Sequence, residues 1–186
     1  FGAAEDRSGY MSRYSFSDSI RDRATLPLNF EPVPVELRVD KETVDREFDV
    51  LTEGLTDAER AELSRRVDMK SIMYNDARIH KVCAHIAKHF TEKIRPNGYK
   101  AQVVVYDRTC CIKYKAELDR LLGEACSTIV MDTNDDKADV YKPYRRTKEA
   151  EAKILDRFRD PDDPLEIVIV TAKLLTGFDA PILQVM

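Results

Sequence analysis

Thr171, Thr176, Gly177 and Asp179 all fall in "TAKLLTGFD" (171–179), which follows the apolar run "EIVIV" (166–170). Two hydroxyls can donate to phosphate oxygens, a glycine lets a backbone approach a phosphate closely, and a carboxylate can accept from a ribose hydroxyl. From the residues alone a plain polar turn is the more common meaning, and nucleotide or nucleic-acid contact stands beside it. A second polar stretch, "YDRT" (106–109), follows the run "AQVVVY" (101–106) and leads into a helical pattern. Thr109 is placed to cap that helix. Arg108 at a strand end is ordinarily a surface ion pair.

Other reactive side chains form weaker sets. His85 and His89 are four apart and could share a metal, but no third ligand is spaced to join them, and solvated helix-edge histidines are the commoner reading. Cys110 and Cys111 stand at a helix start, where thiol pKa values can fall, yet no paired base is identifiable. There is no phosphate loop, and no Asp-Glu pair ends an apolar strand to hold magnesium. The chain alone is therefore not expected to hydrolyse a nucleoside triphosphate.

These residues need elements to hold them in place. From Asp76 to Ile94 the apolar positions Ile79, Val82, Cys83, Ile86, Ala87, Phe90 and Ile94 recur at helical spacing, and Pro96 and Gly98 close the pattern. Then strands and helices alternate: 101–106, a helix from Cys110 to Leu122, "STIVM" (127–131), a helix from Thr147 to Phe158, 166–170, and a last strand in "ILQVM" (182–186). The strands are continuous apolar runs, which suits a parallel sheet buried on both faces and linked by crossover helices. Ligands of such sheets collect at the carboxyl ends of the strands, where both polar stretches fall. Before residue 76 the chain reads as extended over Leu26–Phe30 and Val35–Val39, with Pro27, Pro32 and Pro34 barring helix. It then becomes charge-dense and partly helical after a Thr56 cap, more an exposed accessory region than core.

The 186 residues are 43% hydrophobic and 34% charged, with a formal net charge of −4. That composition suits a globular domain and excludes a global basic field, so any DNA contact must be local. A local cluster exists at Lys142, Arg145, Arg146 and Lys148. Four cysteines without a paired motif suit reduced, buried thiols. No apolar run is long enough to span a membrane.

Taken in order, "FGAAEDRSGYMSRYSFSDSIRDRATLPLNFEPVPVEL", "GYKAQVVVYDRTCCIKYKAEL" and "ILDRFRDPDDPLEIVIVTAKLLTGFDAPILQVM" resemble the motor part of the R (restriction) subunit of type I restriction-modification enzymes. That family belongs to superfamily 2 of the helicase-like translocases. "LLTGFDAPIL" resembles the family's helicase motif V, and "VVVYDR" with the helix after it resembles motif IV. Two positions depart from the family: Lys173 stands where it often has an acidic or apolar residue, and Arg23 where related sequences commonly carry Gly.

The resemblance implies an α/β, RecA-like fold: the second lobe of the motor, with a mainly parallel sheet flanked by helices, over residues 76–186. Residues 1–75 would be a crossover and accessory segment. The first lobe, with the phosphate loop and magnesium-binding acidic motif, and the nuclease domain are expected upstream, and the arginine-bearing motif VI downstream of Met186. By the same resemblance, Gly177 and Asp179 would face ATP across the lobe cleft. Arg108, Thr109, Thr171 and Thr176 would contact the DNA backbone. The implied cofactors are ATP and Mg2+, bound mainly by the first lobe. The implied partners are double-stranded DNA and the methylation and specificity subunits, in the cytoplasm of a bacterium or archaeon. Two other readings share the fold: a stand-alone adaptor that docks a partner through the basic loop at 142–148, and the second lobe of another superfamily 2 helicase.

Overall fold

The computed structural model describes residues 14–25, 27, 29–34, 54, 56–133 and 139–186. The expected extended stretch Val35–Val39, and Leu26 and Leu28 of the stretch before it, lie outside these residues. The chain divides into two compact units, Phe1–Pro34 and Val35–Met186.

In the first unit a short helix, α1 (Phe16–Arg21), opens on a capping box. The Ser15 hydroxyl accepts from the Asp18 N–H, and the Asp18 carboxylate accepts from the Ser15 N–H at 2.9 Å. After α1 the Ala24 N–H reaches back to the Ser19 carbonyl (2.9 Å) and the Arg23 N–H to the Ile20 carbonyl (3.0 Å). This is the Schellman arrangement, whose pivot needs a left-handed residue. Arg23 is that pivot, at φ 62°. Glycine would be free of strain at this position.

The second unit begins its described part with α2 (Asp57–Tyr74), capped by Thr56 through a second capping box with Glu59. It was expected to be exposed and accessory, but its last residues, Met73 and Tyr74, pack against the main core. α3 (Asp76–His89) follows at once, capped by Asn75, whose side chain accepts from the Arg78 N–H at 2.9 Å. Its buried residues Ile79, Cys83 and Ala87 are four apart, as one face of a helix requires. The helix loosens into a π turn (Phe90–Ile94) and a 3-10 turn (Arg95–Asn97), and Gly98 at φ 76° reverses the chain.

Among the described residues the sheet has four strands, β1 (Lys100–Val104), β2 (Ser127–Ile129), β3 (Ile167–Val170) and β4 (Leu183–Val185), in the order β2-β3-β1-β4. All pairings are parallel, with Val104 opposite Val170 and Ile129 opposite Ile169. Helix α4 (Arg108–Leu122) joins β1 to β2, and α5 (Lys148–Arg159) joins β2 to β3. The fold is α/β, as the alternation of the sequence requires.

Alternate strand residues divide the core in two. Ile167 and Ile169 of β3, with Ala101 and Val103 of β1, face α3 and α4; Val168 and Val170 face Phe158 of α5 and the loop after β3. β1 is not the uniform apolar run it resembles, because Lys100 and Gln102 on the second face are only 2% and 1% exposed. The Lys100 ammonium enters the C-terminal end of α5, donating to the carbonyls of Asp160 (2.5 Å), Leu165 (2.8 Å) and Asp163 (3.1 Å). A cation there complements the dipole of the helix.

Candidate functional site

β1 and β3 are direct neighbours, and the Val105 N–H donates to the Val170 carbonyl at 2.9 Å. From there the chain diverges. After β1 it enters α4, packed on one face; after β3 its loop packs Leu174 and Phe178 on the other. A parting of this kind at the carboxyl edge opens the crevice where α/β sheets bind ligands. The structure thus brings "YDRT" and "TAKLLTGFD" to one edge, on adjacent strands.

On the β1 side the helix cap is Asp107, not Thr109 as expected. The helix begins two residues earlier, at Arg108, and the Asp107 carboxylate accepts from the Cys110 N–H at 2.9 Å. The same carboxylate accepts from the Tyr74 hydroxyl. Burial alone would raise the Asp107 pKa, but these hydrogen bonds outweigh it and hold the carboxyl below its usual range. Thr109, in the first turn, instead shares a hydrogen bond with the Tyr141 hydroxyl at 3.1 Å. Arg108 donates to the Asp132 carbonyl at 3.2 Å and lies over the Tyr141 ring, 5.3 Å from its centroid.

On the β3 side Leu175, Thr176, Gly177 and Asp179 are exposed and Thr171 is half-buried. Gly177 has φ 71°, and no atom lies within 4 Å of where a Cβ would stand, so its backbone is open to close approach by a ligand. Leu174 is also left-handed, at φ 68°, held by its side chain in the second core. Lys173 pairs with Glu151 of α5 at 2.6 Å. Its charge is thus directed to α5. At the far end Arg159 of α5 donates to the Asp179 carbonyl (3.1 Å) and lies over the Phe178 ring.

The remaining reactive sets resolve differently. Burial pushes the Cys110 thiol up to about 11 and Cys111 to about 12, the opposite of the lowered values that a helix start allows. His80 pairs with Glu117 at 2.6 Å, and the rings of His85 and His89 stack at 6.3 Å. No group of three metal-ligating side chains gathers among the described residues. The basic loop is less of a patch than its sequence suggests. Arg146 turns inward to the Ile129 carbonyl and the Thr128 hydroxyl, and burial lowers its pKa. Lys142 pairs with Asp139 at 2.7 Å.

Tyr74, Asp107, Tyr141, Glu151 and Arg159 shape this edge and were not singled out from the sequence. Tyr141 is 32 positions from Thr109, and Arg159 is 20 from Asp179, so no local pattern links them. Asp107 alone carried a visible signal, as a cap-forming residue three before Cys110.

Residues 1–61 match the SWI2/SNF2 ATPase family. Over most of its length the chain is similar to endonuclease subunits of type I restriction enzymes. It is 30% identical to the MjaIXP subunit of Methanocaldococcus jannaschii over 181 residues, 95% of this chain and 17% of that protein. It is 29% identical to the MjaVIIP subunit of the same organism, over 100% of this chain and 20% of that protein. To the HindI subunit of Haemophilus influenzae it is 26% identical, over 95% of this chain and 17% of that protein. The chain spans 17 to 20% of the length of these curated relatives. Among the described residues no helix is long and apolar enough to cross a membrane.

Proposed function

We propose that this chain, similar over most of its length to endonuclease subunits of type I restriction enzymes and folded as an α/β unit, is the second lobe of a helicase-like, DNA-translocating motor. Residues 76–186 form that lobe, and residues 1–75 are the crossover and accessory segment leading into it. The observation that carries this reading is the shared edge: the stretches resembling motifs IV and V leave adjacent, directly paired strands and part to opposite faces.

In this reading ATP lies between two lobes, and this chain supplies one wall. The open backbone at Gly177 and the exposed Asp179 suit a nucleotide's polar surface. They do not by themselves make a triphosphate and magnesium site, since a phosphate loop and paired carboxylates belong to the other lobe. Bound ATP supplies the energy of closure and hydrolysis, while this chain's residues position and grip. Arg108 and Thr109, with Thr171 and Thr176, hold the DNA backbone, so their contacts carry no sequence preference. When hydrolysis lets the lobes part, those contacts shift along the duplex. The whole protein would cut foreign DNA with methylation and specificity subunits in the cytoplasm, and this segment alone would neither turn over ATP nor cleave.

The test is the reading frame around the segment encoding Phe1 to Met186. A phosphate loop and acidic motif upstream, with an arginine-bearing motif downstream, are expected. A start codon immediately before and a stop codon immediately after would contradict the motor and favour an adaptor.

A further inference from the structure

The loop after β3 is held at both ends by one helix. Glu151, in the first turns of α5, pairs with Lys173 at 2.6 Å. Arg159, the last residue of α5, donates through Nε to the Asp179 carbonyl at 3.1 Å, with its guanidinium 5.1 Å from the centre of the Phe178 ring. Its Nη1 is braced by the Asp156 carboxylate at 3.1 Å. The two anchors are eight residues apart, about 12 Å along a helix axis. Between them the chain passes through two left-handed residues, Leu174 and Gly177. A left-handed leucine is strained and persists only where its surroundings over-determine it. Leu174 is fixed by packing in the second core, and Phe178 by the Phe158 ring at 6.1 Å. Only the tip, Leu175 to Gly177, is left exposed on the loop between these anchors.

We propose that Arg159 is a positioning residue of the motor: it fixes the Phe178 ring and the Asp179 carbonyl so that the Gly177 backbone and the Asp179 carboxylate present one geometry to the nucleotide. This rests on the assignment of the loop to the ATP-facing wall. Arg159 is 43% exposed and touches no reacting atom, and ion pairs at that exposure add little stability. Its effect is therefore on turnover far more than on folding. The Glu151–Lys173 pair serves the other end, which explains why a lysine is accommodated there.

The test is a double-mutant cycle on the full-length chain in its restriction complex, read as DNA-stimulated ATP turnover at saturating ATP and duplex. Arg159→Ala is expected to lower turnover about tenfold, and in an Asp179→Ala background to lower it no further, because coupled residues fail to add. Arg159→Lys keeps a cation over the ring and a donor for the carbonyl, and should recover most of the loss. Phe178→Leu removes the ring but not the hydrogen bond; it should cause an intermediate loss with the same coupling, and with Arg159→Lys it carries the test if Arg159→Ala folds poorly. Turnover of the Arg159 variants within about twofold of wild type while Asp179→Ala is severe, or losses that multiply in the double variant, would overturn the positioning role. A harmless Asp179→Ala overturns the assignment of the loop itself, and the two failures are separated by that single variant.

Discussion

The Tyr74 hydroxyl donates to the Asp107 carboxylate, the same carboxylate that caps α4. One group thus ties the end of α2 to the start of the helix carrying Arg108 and Thr109. Asp107→Ala removes the cap and leaves the Tyr74 hydroxyl without this acceptor, and should cost about 2 kcal/mol. Asp107→Asn keeps an acceptor and should cost less. The pH dependence has a defined sign. The folded pKa of Asp107 is depressed, so its stabilisation is present above the unfolded value of about 3.9 and is lost as pH falls through the lower folded value. Denaturant titrations of wild type and Asp107→Asn at neutral and acid pH should converge as pH falls; a gap unchanged by acid would contradict this.

The four cysteines are free and buried, and burial is the largest cause of their raised pKa values: about 11 for Cys110 and about 12 for Cys83, Cys111 and Cys126. A raised folded pKa gives stability that is present below the unfolded thiol value of about 8.5 and is lost as pH rises through the folded values. Unfolding free energy should therefore fall between about pH 9 and pH 12. Thiolate absorbance in the native protein should stay low at pH 9, and a disulfide reagent should react slowly until denaturant is added. Fast native reaction of all four would contradict the burial.

Arg23 is the left-handed pivot of the turn after α1. Arg23→Gly removes a side chain from a region that costs an L-residue roughly 1–2 kcal/mol, so the turn should tighten despite the extra freedom glycine has when unfolded. Slower hydrogen exchange at the Ala24 N–H, which bonds to the Ser19 carbonyl, is the expected result. Faster exchange would show that the arginine side chain stabilises the turn more than its backbone strain costs.

Lys100 in its ring of carbonyls gives a fourth test. Lys100→Met keeps the stem's length and removes the donor to the carbonyl of buried Leu165, at a cost of about 2 kcal/mol. Equilibrium unfolding should show that loss. An equal or greater stability would mean that desolvation of the ammonium outweighs its hydrogen bonds.

The order of elements was legible because their periods are strong. The apolar spacing of Ile79, Cys83 and Ala87 can only line a helix face, and "EIVIV" between polar turns reads as a strand covered on both sides. Boundaries and polar exceptions were less legible. Both Asp107 and Thr109 are cap formers, and the three-dimensional position of the Cys110 N–H decides between them. Lys100 and Gln102 interrupt the apolar rule on a central strand; the helix end that accepts the lysine is 60 residues away, at Asp160. A separation of 17 residues from Ile129 hid Arg146, whose charge reads as surface and is directed to the end of β2. The polar stretch after β3 was visible in the sequence, while the helix that braces it was not, because ion pairs such as Glu151–Lys173 leave no periodic trace.

The central claim is that the loop after β3 faces ATP in a DNA-driven motor. Its most direct measurement is ATP turnover by the full-length protein, assembled with the proposed methylation and specificity subunits, with and without duplex DNA, for wild type and Asp179→Ala. Wild-type turnover should rise when DNA is added, and Asp179→Ala should lose about tenfold or more of that DNA-stimulated rate. A variant that retains turnover within about twofold of wild type would contradict the assignment.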